Sequence, residues 1–278
     1  MTAVAFALVS AALFGAMTVA VRIGFTREPD PALATLATVA SALAVAAAIA
    51  LAAGPHDVAG AWPYALAGLL APGGSQLLFT FAIRSVGASR TSVVVGAAPL
   101  AAVTIAFVVL GEPVSAPLVI GAVAIVAGGV ALVAERRPEH LRASGLVLAA
   151  ACTLLFATRD NLVRHLADTS SVSPAVAATA TLVTGSLVAA IYARRPPTFR
   201  ALRVFAPAGV CFGLSYVCLF EAYYRGRVSV VSPLVATETF WGVGLSALLL
   251  RRSELVGRRL VAGAVLIVAG GVLIGVYR

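Results

Sequence analysis

Charge is what this chain has least of. Only 11% of its 278 residues are Asp, Glu, Lys or Arg, against 61% hydrophobic, and the mean hydropathy is +1.02. An ordinary soluble domain of this length is not so poor in charge, so lipid is its natural solvent. Lysine is missing altogether, all 20 basic residues being arginine. The three cysteines, Cys152, Cys211 and Cys218, fall inside apolar blocks without metal-type spacing. That excludes a disulfide framework or a zinc site and leaves them as small packing residues. The histidines His56, His140 and His165 are too scattered for a metal or catalytic cluster. There is no phosphate loop or nucleotide-binding pattern, so no cofactor is implied and ATP-driven work by this chain alone is not expected.

What is present is a series of apolar blocks of roughly 20 residues, the length that carries a helix across about 30 Å of hydrocarbon. Ten are expected, over residues 2–24, 31–53, 60–83, 88–110, 114–134, 143–165, 174–193, 203–224, 227–250 and 256–277. Their continuity and their wealth of Ala, Leu, Val and Gly point to helices rather than barrel strands. The first has no basic region before it, so it reads as a span and not as a removable signal peptide.

The net charge of +9 is not a nucleic-acid footprint, because the arginines sit mostly in short connections between blocks. Odd-numbered connections hold 15 of them, among them Arg22, Arg27, Arg84, Arg136, Arg137, Arg142, Arg194, Arg195, Arg251 and Arg252. Even-numbered connections and the C-terminus hold Arg164, Arg225, Arg227 and Arg278. The positive-inside rule then places the odd connections in the cytoplasm and both termini outside.

The sequence also matches itself. Laying Glu112–Val130 on Glu254–Val272 gives identity at 13 of 19 positions, including the acid, a Leu-Val pair and the Gly-Gly of a shared AGGV, all in one register. The same offset lays Leu13, Phe14, Val21 and Arg22 on Leu155, Phe156, Val163 and Arg164. This is a duplication, with halves at 1–135 and 143–278. Five spans per half is an odd number, so the second copy enters the membrane from the opposite side. Inverted repeats of this kind are common in alternating-access carriers, whose substrate site lies near the midplane between the halves. The small-residue ridges of spans five and ten suit close helix packing, within the fold or in a dimer.

The acid-led turn into a Gly- and Ala-rich helix occurs twice, Asp30-Pro31 opens the second span, and Glu238 precedes an aromatic stretch. In these features the chain resembles, over essentially its whole length, the EamA-like carriers of the drug/metabolite transporter superfamily. Thr239 stands where that family usually has proline after the acid, and Arg251-Arg252-Ser253-Glu254 replaces its usual Gly-Glu. The resemblance implies ten helices around a central cavity lined by spans 1, 3, 4, 6, 8 and 9, and export or exchange of small metabolites, often amino acids. Its eukaryotic relatives imply cytosolic termini, opposite to the arginine count.

Ionisable groups within the spans are costly and few. Glu238 lies near the middle of the ninth, and Leu234, Val235, Trp241 and Gly242 offer it no base along its own helix. It is a candidate proton or amine site, or else a structural acid bonded to a neighbouring helix. Arg159, in span six, could hold a carboxylate or phosphate through its forked donors; snorkelling or pairing with Glu238 is the alternative. Asp160 and Glu221 are further substrate-binding or coupling candidates, the alternative being an ion pair along one helix, Asp160 with Arg164 and Glu221 with Arg225 near the end of span eight. Tyr223 and Tyr224 read as an interfacial aromatic belt. Neutral candidates for the cavity wall are Ser75, Gln76 and Thr80 in span three, Ser215 and Tyr216 in span eight, and Thr237, Thr239 and Trp241 in span nine. Pro99 and Pro233 should kink or break spans four and nine and free backbone groups toward a cavity.

The expected protein is therefore an all-α integral membrane protein, ten helices as two inverted five-helix repeats around a central cavity. Its separated acids and dispersed histidines speak against an enzyme. Its expected function is secondary transport of a small polar metabolite such as an amino acid, across the plasma membrane. A non-transporting scaffold or an intramembrane enzyme is the alternative.

Overall fold

The computed structural model describes residues 2–53, 58–96, 98–113, 115–134, 143–249 and 258–277. Arg136, Arg137, Arg142, Arg251, Arg252, Ser253, Glu254, Arg278, His56 and His140 lie outside them. The described residues are helical, in the order α1 (Ala3–Gly24), α2 (Pro31–Ala52), α3 (Trp62–Gly68), α4 (Ser75–Val86), α5 (Ala88–Val95), α6 (Ala98–Leu110) and α7 (Ala116–Ala134). There follow α8 (Ala143–Thr169), α9 (Pro174–Ala193), α10 (Phe199–Arg225), α11 (Val228–Val235), α12 (Glu238–Leu249) and α13 (Arg258–Val276).

Among the described residues, seven segments are long and apolar enough to cross a membrane: α1, α2, the run Ala59–Val86 that holds α3 and α4, Ser144–Thr169 of α8, α9, α10, and Val228–Ser246. The remaining apolar stretches are shorter, over Ala98–Leu110, Ala116–Ala131 and Val265–Ile274. The chain is thus a multi-pass membrane protein.

Helix ends follow from local chemistry. Asp30 caps α2, accepting from the amides of Ala32 at 2.9 Å and Leu33 at 3.4 Å, with Pro31 in the first turn, where its missing N–H costs nothing. Arg195 pairs with the same carboxylate. Partial burial pushes the Asp30 carboxyl up, but the two amides and the Arg195 guanidinium outweigh it and hold the group below the usual Asp range. Thr198 caps α10 in the same way through Ala201 N at 3.1 Å.

Three of the expected spans are interrupted. Between α3 and α4, residues Leu69–Gly74 form a wide turn in which Ala71 leaves the helical region at φ −148° and ψ 122°. Pro72 there has no amide to give, and the Pro-Gly-Gly run that it opens was the available signal for a break in what read as one continuous span. The α5/α6 division lies just before Pro99, and α11 ends two residues after Pro233. Glu238 is the first residue of α12, so its carboxylate sits at the positive end of a new helix.

The halves of the chain interlock. α1 packs on α10 and α12, while α8 packs on α4 and α6. α7 and α13 lie together, with Gly121 against Ile274 and the Gly270 carbonyl, and Gly128 against Ile267 and the Gly263 carbonyl. The second glycine of the AGGV in α13, Gly271, faces Leu234 and Thr237 instead. The acid that opens the repeated motif holds a helix end in the other half of the chain. Glu112 accepts from Val228 N through Oε1 and from Ser229 N through Oε2, both at 3.0 Å, and so caps α11.

Candidate functional site

Where α1, α8, α10 and the interrupted helices meet, they line a partly open cavity, with about 460 Å³ of empty space counted out through its mouth. α1 contributes Ser10 and Phe14, α8 contributes Phe156, Arg159 and Asp160, and α10 contributes Tyr216 and Leu219. Val95, Ala98 and Pro99 come from the α5/α6 break, and Ser232, Val235, Ala236 and Glu238 from the α11/α12 break. Two of the three interruptions therefore open onto this space, where a regular span would have presented only a helical face.

The charged groups are nearly sealed from solvent. Arg159 is 3% exposed, Asp160 5% and Glu238 5%. Arg159 Nε donates to Asp160 Oδ1 at 2.8 Å, and the guanidinium carbon lies 4.9 Å from the Tyr216 ring centroid and 5.6 Å from that of Phe156. A guanidinium held by one carboxylate oxygen and two ring faces is stabilised by charge and by quadrupole. It keeps donors to spare, for Nη1 is buried with no hydrogen-bond partner. Glu238 Oε1 and the Tyr216 hydroxyl are likewise unpartnered. Of the twelve buried side-chain atoms without a partner among the described residues, three belong to residues of this one cavity, and two of those three residues are charged. Such a wall can take an anionic group at Arg159 and a cationic or proton-bearing group at Glu238.

The structure revises the pairing expected along α8. Asp160 bonds to its neighbour Arg159, not to Arg164, which reaches outward to Asp168 at 2.9 Å and donates to the Tyr223 carbonyl at 2.9 Å. Arg164 is long enough to carry its charge toward the helix end, whereas the short Asp160 side chain stays at cavity depth. Arg159, read as lacking that partner, has it.

The neutral candidates divide. Tyr216 lines the cavity. Ser215 turns to α1 and exchanges hydrogen bonds with Ser10, Oγ to carbonyl, both at 2.9 Å. Ser75 and Gln76 are fully buried at the start of α4 but are not part of the cavity wall, and Thr80 donates to the Gln76 carbonyl at 2.7 Å. Thr239 is buried facing Gly129 of α7, and Thr237 donates to the Leu234 carbonyl at 2.6 Å within the α11/α12 turn. Trp241 is 40% exposed, with its Cβ close to Gly15, and does not reach the cavity. Glu221 receives Arg225 Nε at 2.9 Å near the end of α10 and stands apart from the cavity.

Ser10 and Ser232 were not singled out from the sequence, although each is a hydroxyl within an apolar run. Asn161 was missed as well; its Nδ2 donates to the Ala102 carbonyl at 3.0 Å, tying α8 to α6 beside the cavity. Among the described residues no three His, Cys, Asp or Glu side chains are grouped to hold a metal ion.

A multi-pass helical bundle with charge sealed in a central cavity is the build of a membrane carrier. The profile of the EamA-like transporter family matches residues 1–134 and again 143–276, and the chain belongs to that family, within the drug/metabolite transporter superfamily. No curated protein matches it. A crystal structure of a protein 21% identical superposes with a TM-score of 0.80 over 99% of this chain and 96% of its own, a likeness of fold alone.

Proposed function

We propose that the protein is a secondary carrier of a small polar metabolite, such as an amino acid, working as an exporter or exchanger in the plasma membrane. In this reading α3/α4, α5/α6 and α11/α12 each form one interrupted span, giving ten in all. The two five-span halves are inverted copies that rock about the cavity. Arg159, held in place by Asp160, Phe156 and Tyr216, receives the anionic group of the substrate. Glu238 receives its ammonium or carries the coupling proton.

The observation that carries the reading is the convergence of Arg159 and Glu238 on one cavity, each with an unpartnered polar atom. A structural pair would satisfy both groups, whereas a carrier must leave capacity for cargo. The test compares metabolite release from cells that lack the protein, express it, or express Arg159→Lys at matched membrane levels. Expression should lower the cellular content of a defined polar metabolite, and Arg159→Lys, which keeps the charge but not the fork, should not. Equal metabolite contents in all three cell lines would contradict the proposal.

A further inference from the structure

The two ends of the bundle carry different charge. The close of α1, α4 and α9 and the start of α2, α8 and α10 share one end, as Gly24 against the Phe205 ring, Ser85 against Gly145, Phe81 against Tyr192 and Asp30 against Arg195 require. Seven arginines are exposed there, Arg22, Arg27, Arg84, Arg194, Arg195, Arg200 and Arg203, against two acids, Glu28 and Asp30. That is a surplus of five positive charges among the described side chains, and of the seven only Arg195 has an acid as partner among the described residues. At the other end Arg164, Arg225 and Arg227 are matched by Glu112, Asp168 and Glu221, with Arg164 paired to Asp168 and Arg225 to Glu221.

The connection from α9 to α10 presents that charge in a particular way. Arg194 closes α9 in the left-handed region, at φ 54°, with its N–H donating to the Ala190 carbonyl. Glycine takes that conformation freely and a longer residue does not, so the arginine is held there against a backbone cost. Among the described residues it is the one residue other than glycine with positive φ. Phe199 opens α10 with its ring 81% exposed, and Arg203 follows one turn later on the same face. Tyr192, half-exposed and two residues before Arg194, stands edge-on to Phe81 at 5.7 Å. Bare aromatic rings flanked by arginines fit the level where acyl chains give way to headgroups.

We infer that the α9/α10 connection is a binding surface for an anionic phospholipid. The forks of Arg194 and Arg203, which meet no acid among the described residues, take the headgroup phosphate through paired N–H···O bonds, and Phe199 and Tyr192 lie against the upper part of the acyl chains. A zwitterionic lipid brings the same phosphate with an ammonium of its own, which the surplus of arginines repels, so the surface selects for net negative charge. It lies at the rim of the bundle, away from Arg159 and Glu238, and is independent of the transport reading.

The test titrates the purified full chain in detergent with dioleoylphosphatidylglycerol or with dioleoylphosphatidylcholine, reading bound lipid by native mass spectrometry and melting temperature alongside. Phosphatidylglycerol should bind about tenfold tighter, and the double variant Arg194→Gly with Arg203→Gln should bring the two lipids level. Arg194→Gly alone relieves the backbone, so without lipid it should melt no lower than the wild type, while gaining less from phosphatidylglycerol. Phe199→Ser, at an exposed position that folding does not depend on, should weaken phosphatidylglycerol severalfold through the acyl chains. Arg227→Gln, exposed at the other end, is the control and should keep the full preference. Phosphatidylglycerol binding that is unchanged in whichever of the double variant and Phe199→Ser folds, or that falls equally in Arg227→Gln, overturns the inference. Glycerol 3-phosphate bound as tightly as phosphatidylglycerol would mark a soluble-phosphate site and overturn it as well.

Discussion

α7 and α13 meet through glycines pressed against isoleucines and against each other's carbonyls, while α8, α11 and α12 meet around Arg159, Asp160 and Glu238. The first contact gains from closeness: removing Cβ atoms lets two backbones approach and pack where lipid offers no hydrophobic drive. The second region gives up that packing. It breaks helices at proline, seals ionic groups at low exposure and leaves polar atoms unpaired. In this fold the working region is set apart by buried charge that itself carries an unpartnered atom, at Arg159 and Glu238, since single unpartnered hydroxyls such as Thr38 Oγ1 and Ser186 Oγ also occur away from the cavity.

The contrast is most easily undone at Arg159. Arg159→Ala strands Asp160 in a low-dielectric interior, and a loss of about 3–5 kcal/mol is expected in thermal unfolding in detergent. Replacing both, as Arg159→Met with Asp160→Leu, should restore most of that stability without restoring flux, which would set folding and function apart at one site. At the α7/α13 contact the reverse holds. Gly121→Leu should cost about 1–3 kcal/mol by overpacking against Ile274, with flux per folded molecule kept, as read by unfolding and transport on the same preparation. Flux lost with stability intact there would blur the distinction.

Glu112 lies between the two regions, since it is part of the scaffold but fixes the end of a cavity helix. Glu112→Ala frees the Val228 and Ser229 amides and should cost about 1–2 kcal/mol, with faster amide hydrogen exchange confined to the start of α11. The smallest effect is expected at Asp30→Asn, about 1 kcal/mol or less, because asparagine still caps and the pair with Arg195 is exposed. The folded-state pKa of Asp30 is depressed, so its stabilisation is complete above the unfolded value near pH ~3.9 and is lost as pH falls through the folded value. Asp30→Asn should therefore remove part of the acid-side decline in stability, measured as melting temperature against pH.

Much of this was legible in the sequence because lipid imposes a coarse grammar: apolar blocks, arginine-marked connections and a repeat strong enough to survive divergence. The start of α2 at Asp30-Pro31 and the placing of Arg159, Asp160 and Glu238 within spans follow from it. The break at Pro72 was hidden because hydropathy continues across it, and the partner of Asp160 because spacing along one helix cannot say which neighbour turns inward. Trp241 and Glu221 were drawn into the candidate site by their chemistry, but α12 and the end of α10 turn them elsewhere. Ser75 and Gln76 were named for a cavity wall that they do not form in this structure.

The decisive measurement is uptake into proteoliposomes under an imposed pH gradient, wild type against Glu238→Gln, with the melting temperature and the amount of reconstituted protein as the folding control. The account predicts that Glu238→Gln loses gradient-driven accumulation while remaining folded in the membrane. Undiminished accumulation in that variant would contradict it.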